Sequence, residues 1–128
     1  MRLLFDTHAL LWFALNDVHL SETARALIMD PANEKLVSPA SYWEIAIKIG
    51  LKNYALSSQY EDFMREAIDN NGFPILHIEL KHTAQLTTMP LHHKDPFDRL
   101  LVAQALTENI PIISIDAKLD AYGVTRLW

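Results

Sequence analysis

Two short apolar runs at opposite ends of the chain, "RLLF" at 2–5 and "PIISI" at 111–115, each lead straight into an aspartate. Apolar residues on consecutive rather than alternate positions mark a strand buried on both faces. After Asp6 the spacing turns helical through "HALLWFALN". A strand that hands over to a helix in this way is the unit of a parallel sheet. The rest of the chain continues the pattern: "KLVS" and "FPILHIE" are further strand candidates, and "GVTRLW" reads as a last edge strand.

The helices between them have recognisable ends. "SETARALIMD" takes Ser21 as its N-cap and is stopped by Pro31. "SPASYWEIAIKIGL" opens with Ser38 as N-cap and Pro39 at the first helical position, a strong start signal. "SQYEDFMREAIDNNG" is amphipathic and closes at Asn71 and Gly72. "LKHTAQLTTM" is a short helix, "PLHHK" a polar loop, and Asp95 to Asn109 the longest helix. The expected fold class is α/β, one layered domain over residues 1–128 with its sheet covered on both faces.

Composition narrows the function classes. Half of the 128 residues are hydrophobic, with three Trp, five Phe and four Tyr, so a real core can be buried. The net charge of −5 argues against a protein that holds nucleic acid simply by neutralising phosphates. An acidic enzyme that grips phosphates through a metal stays open. There is no cysteine, which removes disulfides and thiolate metal sites. Asp6 interrupts the apolar N-terminus in a way that does not suit a signal peptide. No stretch approaches the roughly 20 apolar residues of a membrane span. A soluble, cytoplasmic domain with no membrane partner is the expectation.

In an open parallel sheet, strand C-termini and the N-termini of the following helices share one edge, where ligands bind. Asp6 and Asp116 end strands, Asp95 and Asp98 open the long helix, and Glu44 lies in the second turn of the "SP" helix. All five map to that edge. Each also has a structural explanation. Asp95 fits an N-cap with Pro96 behind it, and Asp98 then sits at N3, where a carboxylate suits the helix dipole. Glu44 has Lys48 at i,i+4, a pairing worth about 0.3–0.5 kcal/mol. Asp6 and Asp116 can cap the helices after their strands. As a set, however, carboxylates converging in a partly dry cleft repel one another and lose hydration, so some protonate or a cation holds them. Hard oxygen ligands without Cys favour Mg²⁺ or Mn²⁺ over zinc. Asp98, one position pattern inside the helix and aimed over the sheet edge, is the expected metal ligand ahead of Asp95.

Four segments, "LLFDTHALLW", "SPASYWEIAIK", "DPFDRLLVAQA" and "IISIDAKLDAYGV", together resemble the PIN-domain ribonucleases, in particular VapC-type toxins of toxin–antitoxin pairs. The resemblance runs over nearly the whole chain, with the motifs in the family's order. It implies a three-layer α/β/α sandwich around a mostly parallel sheet and a Mg²⁺- or Mn²⁺-dependent nuclease site. It further implies an RNA substrate, a homodimer and inhibition by an antitoxin. Carried over by position, the acids are Asp6, Glu44, Asp98 and Asp116, the same four chosen above. Thr7 and Ser114 match hydroxyl positions beside the first and fourth acids, where they would orient a carboxylate or water; capping explains them as well. His8 departs from the small hydroxyl or Asn that many relatives carry there. The implied chemistry is hydrolysis of an RNA phosphodiester by a metal-activated water, leaving a 5′-phosphate and a 3′-hydroxyl.

His92, His93, Lys94 and Arg99 lie near the expected cleft and could touch RNA phosphates, or simply belong to a solvated loop. A His92–His93 metal site is disfavoured because adjacent residues seldom aim at one ion. His77 and His82 read as structural or exposed. Trp12, Phe13, Tyr42 and Trp43 are assigned to core packing, with part of the "LLWFAL" face available to a partner. Two other readings are a phosphoacceptor receiver module and a PIN scaffold without catalysis. The first wants adjacent acids after strand one, where this chain has Thr7 and His8, and a Lys context that Lys118 does not match. Retention of all the acids argues against the second.

Overall fold

The computed structural model describes all 128 residues, Met1–Trp128. Four strands, β1 (Arg2–Phe5), β2 (Glu34–Leu36), β3 (Ile112–Ile113) and β4 (Arg126–Leu127), form one all-parallel sheet in the order β2-β1-β3-β4. The helices are α1 (Thr7–Leu15), α2 (Glu22–Met29), α3 (Pro39–Gly50), α4 (Tyr60–Ile68), α5 (Leu80–Leu86) and α6 (Pro96–Glu108). A 3-10 turn covers Ala117–Tyr122. No helix is long and apolar enough to cross a membrane.

β1 is central because its sequence allows nothing else. Leu3, Leu4 and Phe5 expose no surface, and Leu4 stands beside Leu36 on one side and Ile112 on the other. Leu3, Phe5 and Ile113 face one layer, packed with Ala9 and Leu10 of α1, Ala24 and Ile28 of α2, and Met64 and Ile68 of α4. Leu4, Leu36 and Ile112 face the other layer, packed with Leu101, Val102 and Ala105 of α6 and with Leu119. α5 packs along α6 on that side. The sheet is thus covered on both faces, as a consecutive apolar run requires. α3 belongs to both layers, sending Ile45 into the first and Ala40 into the second.

Strand order decides where function can sit. From β1 the chain crosses to β2 on one side, then returns to β3 on the other. The crevice between the C-terminal ends of β1 and β3 is therefore the topological switch point, the usual ligand position of such sheets. Asp6 directly follows β1, and Ser114 and Asp116 follow β3.

Three expectations meet the structure with a difference. "FPILHIE" forms no strand: Ile75 makes a single parallel bridge to Val37. The Leu76 carbonyl, which a longer ladder would need, instead accepts the Gln104 side-chain amide at 3.1 Å. "PIISI" is a strand only at Ile112–Ile113, although the Ser114 N–H still donates to Leu127 at 3.1 Å. Trp43 is not core; it is 58% exposed, set edge-on against Phe97 at 5.1 Å. The buried stripe of α3 runs through Ala40, Ser41, Glu44 and Ile45, which turns Trp43, Ile47 and Leu51 outward.

The start of α6 is fixed by Asp95, whose Oδ1 accepts the N–H groups of Phe97 at 2.8 Å and Asp98 at 3.3 Å. Asp95→Ala should lower stability by about 1 kcal/mol. In urea the midpoint should fall with an unchanged slope, and an unmoved midpoint would remove the cap from the account.

Candidate active site

Each acid reaches the switch point from a different element. Asp6 is the N-cap of α1: its N–H donates to the Ile113 carbonyl at 3.0 Å and its Oδ1 accepts from Ala9 N–H at 2.7 Å. Asp116 caps the 3-10 turn, its Oδ1 accepting from Lys118 N–H at 3.0 Å. Asp98 is the third residue of α6, and Glu44 lies on the inward stripe of α3. Asp6 and Glu44 are buried, while Asp98 and Asp116 are partly exposed. Asp98 feels the charges of Glu44 and Asp6, and Asp6 that of Asp116, so the four act on one another across a site that is dry on one side and wet on the other.

The two hydroxyls are buried between them. Thr7 donates to the Ser41 hydroxyl at 3.2 Å, tying α1 to α3 beside Glu44. The Ser114 hydroxyl accepts the Asp116 N–H at 3.0 Å and also reaches the Asp6 carboxylate, where it lowers that group's pKa. Arg99 turns away from the cleft. Its guanidinium donates to the carbonyl of Pro90 at 2.9 Å and to the Tyr122 hydroxyl at 3.0 Å, bracing the loop before α6. His92 is exposed and packs edge-on against Tyr122. His82 is fully buried and structural, accepting the Glu79 N–H at 3.0 Å and lying 2.9 Å from Glu108.

The electrostatics are those of crowded, desolvated carboxylates. Burial, then Asp95, Glu44 and Asp6, push the Asp98 carboxyl up to about 7, against a small lowering by His93. Burial also raises Asp6, partly offset by the Ser114 hydroxyl and the Ala9 N–H. Glu44 shows the clearest need for a further partner. Its Oε2 meets the Lys48 ammonium at 3.0 Å, so the i,i+4 pair does form. Its Oε1 is buried with no hydrogen-bond partner. A buried unsatisfied polar atom costs about 1–3 kcal/mol, more when charged. An oxygen-rich set of this kind matches a hard divalent cation, which would answer both the mutual repulsion and the orphan oxygen.

Sequence reasoning named His93 only as a loop residue near the expected cleft, a candidate phosphate contact, and gave it no partner among the acids. Its Nε2 lies 2.9 Å from Asp116 Oδ2 and 3.3 Å from Asp98 Oδ2, and those three atoms form one cation-sized cluster. Only its place in the loop ahead of "DPFD" hinted at this. Ser41 was also missed as a neighbour of the acids, because only the α3 face, not its sequence, shows what it meets.

The sign of the pH dependence follows from the raised pKa values. Asp98 holds its proton in the folded chain up to about pH 7 but loses it near 3.8 when unfolded. The folded state therefore binds more protons in that window, and stability falls as pH rises through it. In EDTA, Asp98→Asn should be more stable than the parent at pH 8 and flatten this slope. Equal thermal midpoints for the two proteins across the window would refute the assigned shift.

Comparison with known proteins supplies independent lines. No curated protein matches the sequence. Among solved structures, the fold is similar to a chain of VapBC2 from Rickettsia felis, solved bound to a promoter DNA fragment. The TM-score is 0.71 at 13% identity over 98% of this chain and 97% of that one. VapBC-1 from nontypeable Haemophilus influenzae gives 0.64 at 16% identity, covering 98% and 96%. FitAcB from Neisseria gonorrhoeae gives 0.64 at 12% identity, covering 97% and 95%. At such identities these likenesses speak to the fold alone. Sequence and fold then converge: residues 3–124 match the PIN domain, and the chain belongs to that family.

Proposed function

We propose that this chain is a divalent-metal-dependent endoribonuclease and the toxin of a toxin–antitoxin pair. The observation that carries the reading is the meeting of four acids at the β1–β3 switch point, with Glu44 Oε1 buried and unpartnered. Family membership removes the receiver alternative, and the intact acid set speaks against a silent scaffold.

In this reading Asp6, Glu44, Asp98 and Asp116 hold Mg²⁺, or Mn²⁺ in its place. Bound there, the ion supplies Lewis acidity and a water of lowered pKa. The protein's own contribution is placement. Asp6 and Asp116 each anchor one oxygen on a backbone N–H, and the other oxygen of Asp116 faces His93. Thr7 and Ser114 hold the walls together from behind. Overall, a water oxygen bonds to the RNA phosphorus and the bond to the 3′ oxygen breaks. In net terms a proton of the water ends on the departing 3′ oxygen, which leaves as a hydroxyl, and the phosphate, now bearing the water's oxygen, stays on the 5′ side.

An antitoxin partner and a homodimer belong to the same proposal. Support for the antitoxin comes from the fold's likeness to chains of VapBC2, VapBC-1 and FitAcB. The outward stripe of Trp43 and Ile47 on α3, continued by its C-cap Leu51, is apolar surface of the kind a protein partner covers.

The test is cleavage of single-stranded RNA by the purified chain in Mg²⁺ or Mn²⁺. EDTA should abolish it. Asp98→Asn should lower it more than about 100-fold, the scale of losing one strong electrostatic element of a site, with an unchanged far-UV spectrum. Cleavage that persists in EDTA, or full activity in the variant, would defeat the reading.

A further inference from the structure

His93 lies where three potential ligand atoms crowd together, so it invites assignment as a fifth metal ligand. Its other ring nitrogen argues otherwise. Nδ1 is 3.1 Å from the backbone N–H of Asp95 and must accept it, since that N–H can only donate. An imidazole that accepts at Nδ1 carries its proton on Nε2. Nε2 is then an N–H donor, aimed at Asp116 Oδ2 at 2.9 Å and Asp98 Oδ2 at 3.3 Å, with no lone pair for an ion.

The loop holding the ring is itself fixed. The Tyr122 hydroxyl accepts the backbone N–H groups of His92 at 3.0 Å and His93 at 2.9 Å. Arg99 donates to the same hydroxyl and to the Pro90 carbonyl. The side chain of His93 is 13% accessible. A ring held this firmly, with one nitrogen on the first turn of α6 and the other on two carboxylates, couples the start of α6 to the end of β3.

We propose that His93 is a positioning residue: an Nε2–H donor that ties Asp98 to Asp116 and orients both toward the cation, without ligating it. The inference rests on the metal-nuclease reading and assigns a role within it to a residue outside the four acids. Partners that hydrogen-bond ligating groups typically govern metal affinity by about 10–100-fold.

Two substitutions separate the donor from the loop. His93→Asn keeps an acceptor near the Nδ1 position for the Asp95 N–H but reaches neither carboxylate. His93→Gln places an amide N–H near the Nε2 position. Mn²⁺ binding by calorimetry should weaken about 10–100-fold in His93→Asn and recover most of that loss in His93→Gln. Nitrogen chemical shifts of the parent ring should show a protonated Nε2 and a bare Nδ1. The opposite tautomer overturns the inference, as does parent-like affinity in His93→Asn. Equal losses in both variants would also overturn it, by assigning the effect to the loop rather than the donor. If the parent itself takes up no Mn²⁺, the proposed function falls and carries this inference with it; parent binding with unaffected variants defeats only the inference.

Discussion

The backbone hydrogen bond from Asp6 N–H to the Ile113 carbonyl, at 3.0 Å, joins two distant segments of the chain at the point where the acids collect. It closes the β1–β3 pairing and sets the first acid beside the segment that carries Ser114 and Asp116. That pairing exists because Leu3, Leu4, Phe5, Ile112 and Ile113 are all excluded from water. Each such side chain contributes roughly 1.5–3 kcal/mol on burial. Apolar burial thus holds in place a group of charges that would separate if left to themselves. α3 completes the arrangement by crossing between the layers, and Glu44 arrives on the same stripe as the core residue Ile45.

Helix capping and metal chemistry are often weighed as rivals for an acid at a helix start, but here capping leaves room for a metal. Asp6 and Asp116 each commit Oδ1 to a backbone N–H. A carboxylate anchored by one oxygen has little rotational freedom left, so its second oxygen is aimed. Asp95 caps α6 with Oδ1 on two N–H groups and so frees Asp98 from that duty. Asp98 accordingly carries the strain of the site, with the carboxyl pushed up to about 7. Elsewhere the chain caps with Ser21 and Ser38, neutral hydroxyls that bring no charge.

Much of this architecture was legible in the residues, for identifiable reasons. Ser38–Pro39 and Asp95–Pro96 announce helices through local chemistry, and local chemistry survives any tertiary context. The acids' common edge follows from parallel pairing alone, without strand order. What stayed hidden depended on contacts between distant segments. "FPILHIE" has the composition of a strand, but a glutamine from α6 takes the carbonyl its ladder would need. Trp43 has the size of a core residue, but the helix phase that buries Glu44 turns it to solvent. The loop "PLHHK" carries no periodic signal, so only contacts with Asp95, Asp98 and Asp116 reveal that the His93 ring turns toward the acids while that of His92 lies against Tyr122.

The chain's acidity then acquires a meaning beyond solubility. A polyanion approaching this cleft meets a net charge of −5 and four converging carboxylates. The nearby cations are largely committed: Lys48 to Glu44, Arg99 to carbonyls, Arg126 to Asp120. Lys94 and Lys118, both exposed, flank Asp95 and Asp116 along the chain and can meet phosphate at the rim. Long-range attraction of this kind is screened within about 8 Å at physiological salt, so the rim alone cannot reverse the field at the centre. A divalent ion held by the acids would do so, and would relieve the same repulsion that raises Asp98. The ligand that completes the site would therefore also stabilise the fold, by the ordinary linkage between binding and folding. Stability and substrate attraction would then rise together with the metal, from one electrostatic cause.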